Sequence, residues 1–77
     1  MATGLGDVIR RERKARALSQ QELGDLAGTG LNFVSQMERG KETVRLDKLL
    51  ALLKVLGLEL VLSRGTEAIS IAKELRR

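Results

Sequence analysis

The sequence predicts a small all-α domain of four or five short helices, closed by one short strand. Apolar residues recur at the three-to-four spacing of a helix in several separate segments. Glycines or a capping serine stand between those segments, and only residues 58–62 alternate as a strand does. A chain of 77 residues has room for one domain with a small core, which oligomerisation would help to stabilise.

The first predicted helix is strongly basic. Leu5, Val8 and Ile9 form its apolar stripe, and it is expected to end near Ala17. Its basic residues are Arg10, Arg11, Arg13, Lys14 and Arg16. Such a cluster suits a polyanionic partner, but it is equally expected of a solvated helix face.

The second predicted helix has a marked start and a marked end. Ser19 and Glu22 form a Ser-x-x-Glu capping box, so the helix begins at Gln20. Apolar residues then recur on one stripe, and Gly28 supplies the left-handed residue that commonly ends a helix.

The third predicted helix has one apolar and one polar face. Phe33, Val34 and Met37 share the apolar face. The opposite face carries, at i, i+3, i+4 and i+7, Asn32, Ser35, Gln36 and Arg39. Two short helices joined by a tight turn, with donors along the second, are the layout of a DNA-reading module.

The polar face of the third helix predicts contacts to DNA. Asn and Gln can bond bidentately to adenine, Ser can bond either base edge, and a leucine can touch a thymine methyl. The predicted base-reading residues are Leu31, Asn32, Ser35 and Gln36. The predicted phosphate-binding residues are Gln20, Arg39 and Lys41. The alternative is an ordinary surface helix, which also turns polar residues outward.

A fourth helix is predicted from Leu46 to Leu56, ended by Gly57. One broad face is lined by Leu46, Leu49, Leu50, Leu53 and Leu56. Leu52 and Val55 extend the apolar surface further than a monomer of this size needs, which indicates a partner surface. The alternative is a helix that neighbouring elements bury on several sides.

Residues 58–62 are predicted to form a half-buried strand that pairs with its copy in a homodimer. No other segment shows the alternation of a strand, and unpaired backbone groups need a partner. The predicted dimer interface comprises Leu52, Val55, Leu58, Leu60, Val61 and Leu62. The alternative is extended coil packed on the helices. After Gly65, residues 66–77 resume helical spacing and are expected to be a C-terminal helix or a tail.

Composition argues against enzyme chemistry and for an anionic partner. The chain has no Cys and no His, so neither a thiolate site nor an imidazole base nor a zinc finger can be built, and no metal or cofactor is expected. The net charge of +4 favours a polyanion such as double-stranded DNA. No export signal and no membrane-spanning run is visible, so a cytoplasmic protein without membrane contact is expected.

The segment 18–41 resembles the helix-turn-helix of the Xre/Cro-type regulators. Their pattern Leu-Ser/Thr-Gln-x-x-Leu-Ala-x-x-Ala-Gly, closed by Glu-x-Gly, is matched at Leu18, Ser19, Gln20, Leu23, Ala27, Gly28, Val34, Glu38 and Gly40. Gly24 and Gly30 depart from it; Gly24 permits close helix contact, and Gly30 still caps acceptably. The resemblance implies a lambda-repressor-like DNA-binding domain in which Arg13 pairs with Glu38.

Residues 30–60 further resemble the HipB-type antitoxins, and the likeness covers roughly residues 5–63. Gly-Leu-x-Phe-Val in the recognition helix is followed by Glu-Arg-Gly-Lys-x-Thr-x-Arg-Leu-Asp and a leucine-rich helix. The resemblance implies a homodimer that represses its own operon from a palindromic operator and neutralises a HipA-type kinase toxin. From the patterns above, we expect the chain to divide into a helix-turn-helix domain (1–57), a dimerising strand (58–65) and a C-terminal helix or tail (66–77).

Two alternatives to this interpretation stay open. A phage-type or restriction-controller regulator without a toxin partner would share every DNA-reading feature. A protein-interaction adaptor would use the helix-turn-helix only as a scaffold, and its outward face would not need polar donors.

Overall fold

Four helices followed by a two-stranded hairpin make up the described part of the chain. The computed structural model describes residues 4–62 and 69–73, with side chains for residues 4–61. The elements are α1 (Leu5–Ala15), α2 (Gln20–Ala27), α3 (Leu31–Glu38), α4 (Leu46–Val55), β1 (Leu58–Leu62) and β2 (Ile69–Lys73). The predicted order of four helices and a strand at 58–62 is confirmed.

The ends of α2 follow from local chemistry. The Ser19 hydroxyl accepts from the Glu22 amide at 2.9 Å, and the Glu22 carboxylate accepts from the Ser19 amide at 2.8 Å. At the other end Gly28 is left-handed, with φ 75°. The predicted capping box and glycine stop are both confirmed, and they fix the length of the first helix of the helix-turn-helix.

Two glycines allow the helices to approach each other closely. A Cβ placed on Gly24 would lie 2.5 Å from the backbone carbonyl of Gly30, and one on Gly6 would lie 2.2 Å from the Met37 oxygen. Since neither backbone group can move aside without moving a helix, only glycine permits this packing. The expectation that Gly24 permits close helix contact is confirmed.

One apolar core joins all four helices to β1. The core residues are Ile9, Leu23, Val34, Met37, Leu49, Leu52, Leu53, Leu56 and Leu58. Arg16 also links α1 to the end of α4, where its Nη2 donates to the Leu56 carbonyl. The strand β1 therefore packs on the same core as the helices.

The prediction that Leu52 belongs to a partner surface of α4 was wrong. That side chain is fully buried within the chain, whereas Leu46 and Leu50 are 58% and 46% exposed. Because α2 and β1 both pack on α4, the buried stripe is Leu49, Leu52, Leu53 and Leu56, an i, i+3, i+4, i+7 pattern. Leu52 has no surface left for a partner, and Leu58, only 6% exposed, has almost none.

The expectation that no other segment of the chain could pair with β1 was wrong. β1 pairs antiparallel with β2 of the same chain, with Leu58 opposite Lys73 and Leu62 opposite Ile69. Residues 69–73 are thus a strand and not the expected helix or tail. Two β-branched isoleucines alternate there, a helix of twelve residues is marginal by itself, and β1 offers a ladder of backbone partners. The rest of the expected C-terminal helix, residues 66–68 and 74–77, lies outside the described residues.

No helix within residues 4–62 is long and apolar enough to cross a membrane.

Candidate nucleic-acid interface

The outward face of α3 brings the predicted base-reading residues together. Asn32 is exposed, Ser35 and Gln36 are partly exposed, and Leu31 at the first helical position is 39% exposed. Val34, Met37 and Glu38 fill the opposite face and are buried. The helix is therefore anchored along one side and presents hydrogen-bonding side chains along the other.

The turn before α3 is built from glycine. Gly28 and Gly30 both have positive φ, 75° and 90°, and the amides of Thr29 and Gly30 donate to the Gly24 carbonyl. No side chain caps the start of α3. Glycine at these positions adopts the left-handed backbone without strain, so the turn sets the angle between α2 and α3.

Arg39 and Lys41, two predicted phosphate-binding residues, follow directly on α3. The Arg39 guanidinium donates to the Ser35 hydroxyl at 2.9 Å, which holds both side chains along the exposed edge of the helix. Lys41 is exposed, and its amide donates to the Gln36 carbonyl. A shallow groove of about 330 Å³ is lined by Gln36, Arg39, Gly40 and Lys41. Two exposed cations thus stand beside the predicted base-reading residues.

Glu38, at the end of α3, is the centre of a buried polar cluster. Its carboxylate is 1% exposed and accepts from Arg13 Nε at 2.6 Å and from Arg13 Nη2 at 3.0 Å. Arg10 Nε and Gln20 Nε2 donate to the same carboxylate at 3.4 and 3.1 Å. Arg13 also donates to the Leu18 carbonyl. The pair expected between Arg13 and Glu38 is present, and the cluster ties α1, α2 and α3 together.

The charges in this cluster stabilise one another. Burial alone would raise the pKa of Glu38, but hydrogen bonds from Arg13 and Gln20 outweigh it and leave that pKa below its usual value. The same hydrogen bond raises the pKa of Arg13. Both groups are therefore ionised at neutral pH. All buried polar side-chain atoms among the described residues have a hydrogen-bond partner.

Gln20 is placed differently from the prediction. Its side-chain amide is partly buried and donates to Glu38, so one of its two N–H bonds is already used. The second N–H and the backbone amide at the start of α2 are what Gln20 can offer a phosphate. The sequence pattern could not show this, because the Gln20–Glu38 contact joins residues 18 positions apart.

A second groove, which the sequence did not predict, runs between α3 and the start of α4. Its volume is about 450 Å³, and it is lined by Phe33, Gln36, Lys41, Thr43, Val44, Arg45 and Lys48. Lys48 Nζ lies 6.0 Å from the centre of the Phe33 ring. Arg45 Nη2 lies 2.8 Å from Asp47 Oδ2 on the surface, and hydrogen bonds from Arg45 lower the pKa of Asp47. The signal in the sequence was the basic run Lys41, Arg45 and Lys48, which helical patterning alone could not connect to Phe33.

The remaining predicted interface residues fall on or near the hairpin. Val55, Leu60 and Val61 are half-buried, so each keeps some exposed surface. The side chain of Leu62 lies outside the described residues. Leu52 and Leu58 belong to the core, as described above.

The chemistry of this surface is that of binding and not of metal chelation. Within the described residues no group of acidic side chains could hold a metal ion. What the surface offers is hydrogen-bond donors on a short helix, flanked by positively charged side chains.

Two short helices, a glycine turn and an outward row of donors define a helix-turn-helix protein of the DNA-binding class that regulates transcription. A family model described as helix-turn-helix matches residues 9–62, which include most of α1, all of α2 to α4 and β1. The chain is also similar to an uncharacterised HTH-type transcriptional regulator, y4mF, of Sinorhizobium fredii (strain NBRC 101917 / NGR234). The two are 42% identical over 53 residues, which cover 69% of this chain and 70% of that protein. The chain belongs to the helix-turn-helix family.

Proposed function

We propose that this protein is a sequence-specific transcriptional repressor that reads a palindromic operator through α3. The observation that carries the proposal is the division of α3: its inner face is fixed in the core, and its outer face presents Asn32, Ser35 and Gln36. A helix held this rigidly can place donors against base edges in the major groove. The printed name of the S. fredii relative, a transcriptional regulator, supports the same role.

The electrostatics around α3 favour DNA. Arg39 and Lys41 flank one end of the reading face, and Lys48 lies on the far side of the groove beside it. Cations on both sides of a reading helix can each contact a phosphate, and such contacts set the register of the helix on the duplex. The negative charge of Glu38 is buried and neutralised by its arginine partners, so it does not repel the phosphates of DNA.

The proposed repressor is a homodimer. Two copies of α3 would have to stand about 34 Å apart to read successive major grooves on one side of the duplex. Val55, Leu60 and Val61 are the predicted interface residues that keep exposed surface, and the hairpin has outer edges on which a second copy can pair. These features support dimerisation through the hairpin side of the molecule. Such a repressor acts in the cytoplasm, where its operator is.

Binding to DNA from the protein's own promoter tests the proposal. Titration by fluorescence anisotropy against the promoter duplex and a scrambled duplex, over a salt series, separates specific from non-specific affinity. Gln36→Ala is expected to weaken promoter binding by about 1–3 kcal/mol and to leave scrambled DNA unaffected. Gln21→Ala is the matched control, because Gln21 is an exposed glutamine of α2 that bonds Asp25 within its own helix. Equal affinity of the unmodified protein for both duplexes would refute sequence-specific reading.

The finer role, an antitoxin that neutralises a HipA-type kinase, is supported by the likeness of roughly residues 5–63 to HipB-type antitoxins. Its test is co-purification of the untagged product of a neighbouring kinase-like reading frame with this protein, followed by a kinase assay with and without it. A regulator without a toxin would retain promoter binding and bring down no kinase.

A further inference from the structure

The groove between α3 and α4 opens on the surface that the proposed function turns toward DNA. Its lining shares Gln36 and Lys41 with the shallow groove beside Arg39. The two grooves therefore adjoin at these two residues, one of which is a proposed base reader. With Gln36 on a base edge, the groove between α3 and α4 is open to a neighbouring base.

The floor of the groove is apolar and its rim is positively charged. Phe33 and Val44 are half-buried and pack against the core, which holds them in place. Lys41, Arg45 and Lys48 stand around them. The cations suit the phosphates of a DNA strand, and the parts of Phe33 and Val44 that the core leaves exposed give the groove an apolar surface beside them.

One group in the major groove does suit such a floor. Among the base edges there, only thymine presents an apolar group, its 5-methyl, and side chains as different as Ala and Phe contact it. A groove of about 450 Å³ has ample room for that edge. Removing a methyl group from water against carbon atoms is favourable, and the gain is lost when the methyl is absent.

The geometry points to a thymine-reading subsite formed by Phe33 and Val44. The 5-methyl group of a thymine next to the base that Gln36 contacts packs on these two side chains, while the cations of the rim hold the strand. Phe33 and Val44 are then specificity-determining residues, in addition to the polar row on α3. This inference rests on the proposed function, since it requires α3 to lie in the major groove.

Replacement of thymine by deoxyuridine tests the subsite directly. Binding sites are first selected from a random duplex library with the purified protein. Each thymine of the selected site is then replaced singly by deoxyuridine, which lacks only the 5-methyl group. We expect a loss of about fourfold in affinity at one position per half-site, the factor for burying one methyl group. That position is expected next to the base pair at which Gln36→Ala removes the sequence preference of the protein.

Variants of the protein assign the effect to the groove. Val44→Thr replaces one methyl by a hydroxyl of nearly the same shape, and it is expected to reduce the fourfold difference between thymine and deoxyuridine at that position. Phe33→Leu keeps the floor apolar but shortens it, and it is expected to reduce the difference by about half. Leu26→Ala is the control, because Leu26 is an exposed leucine of α2 that lines neither groove, and it is expected to leave the fourfold difference unchanged. Thermal unfolding followed by circular dichroism verifies that each variant is folded.

The possible outcomes separate this inference from the proposed function. Absence of any preferred sequence in the library would refute both. A preferred sequence that depends on Gln36, with no deoxyuridine effect altered by Val44→Thr and Phe33→Leu, would refute the subsite alone. A selected site with no thymine beside the Gln36 position would refute it as well.

Discussion

The two faces of α3 differ in burial and in what their side chains contact. On the inner face the Glu38 carboxylate is 1% exposed and binds side chains from α1 and α2. On the outer face Asn32 is exposed, and Arg39, the residue that follows α3, is exposed and donates to the Ser35 hydroxyl of that face. One eight-residue helix thus separates stability from recognition. Substitutions on the inner face are expected to change folding, and substitutions on the outer face to change DNA binding alone.

The largest effect is expected on the inner face. Glu38→Ala removes the carboxylate that neutralises the buried Arg13 guanidinium and leaves it the Leu18 carbonyl, and breaking a buried ion pair in this way costs about 3–5 kcal/mol. That is a large fraction of the 5–15 kcal/mol that typically stabilises a domain. Urea unfolding followed by circular dichroism measures it. The neighbouring variant Arg39→Ala is the control and is expected to stay within about 0.5 kcal/mol of the unmodified protein. Similar losses in both variants would contradict the division of α3.

The substitution Gly24→Ala is expected to disturb the close packing of α2 against the turn before α3. Alanine has the better helix propensity by about 1 kcal/mol, but its Cβ would lie 2.5 Å from the Gly30 backbone. We therefore expect Gly24→Ala to destabilise the fold by about 1–3 kcal/mol, as overpacking does. The midpoint of urea unfolding reports the change, with Gln21→Ala on the exposed side of the same helix as control. A gain in stability would mean that the turn between α2 and α3 can shift freely.

The parts of the fold that the sequence predicted are those with local causes. The start of α2 at Ser19 and its end at Gly28 depend on atoms within one or two turns of the chain, and both were predicted correctly. The pair between Arg13 and Glu38, 25 residues apart, was expected only from a family resemblance. Local patterns therefore located the reading helix but not what holds it.

The errors have non-local causes. Leu52 lies on a stripe that overlaps another leucine stripe of α4, and only the packing of α2 and β1 decides which of the two is buried. Residues 69–73 fit helical spacing, and the alternation of Ile69 and Ile71 is too short to predict a strand by itself; pairing with β1 decides between the two structures. The Phe33 groove exists because the loop after α3 returns past its side, which no spacing rule predicts.

Acid is expected to loosen the inner face without a substitution. The pKa of Glu38 is lower in the folded protein than its ordinary value of 4.5, because hydrogen bonds from Arg13 and Gln20 outweigh burial. The stability this contributes is fully present above the unfolded pKa and is lost as the pH falls through the lower folded pKa. The free energy of unfolding, measured from pH 7 to pH 3, is expected to decrease once the pH is below about 5. The decrease is expected to be less steep in Glu38→Gln. Asp47→Asn is the control for an exposed carboxylate with a lowered pKa, and it should retain most of the slope.

The smallest effect is expected at the outer edge of the reading face. Lys41 is exposed beside Gln36, and a phosphate contact from it carries no sequence information. Lys41→Ala is therefore expected to weaken promoter and scrambled DNA by the same factor and to leave unfolding unchanged. Since each phosphate contact releases about one counterion, the slope of log affinity against log salt should fall by about 1. Lys54→Ala is the matched control, because Lys54 is equally exposed but stands in the last turn of α4, outside both grooves. Loss of affinity for the promoter alone would make Lys41 a base-reading residue. The base-reading residues would then extend beyond α3 into the loop that follows it.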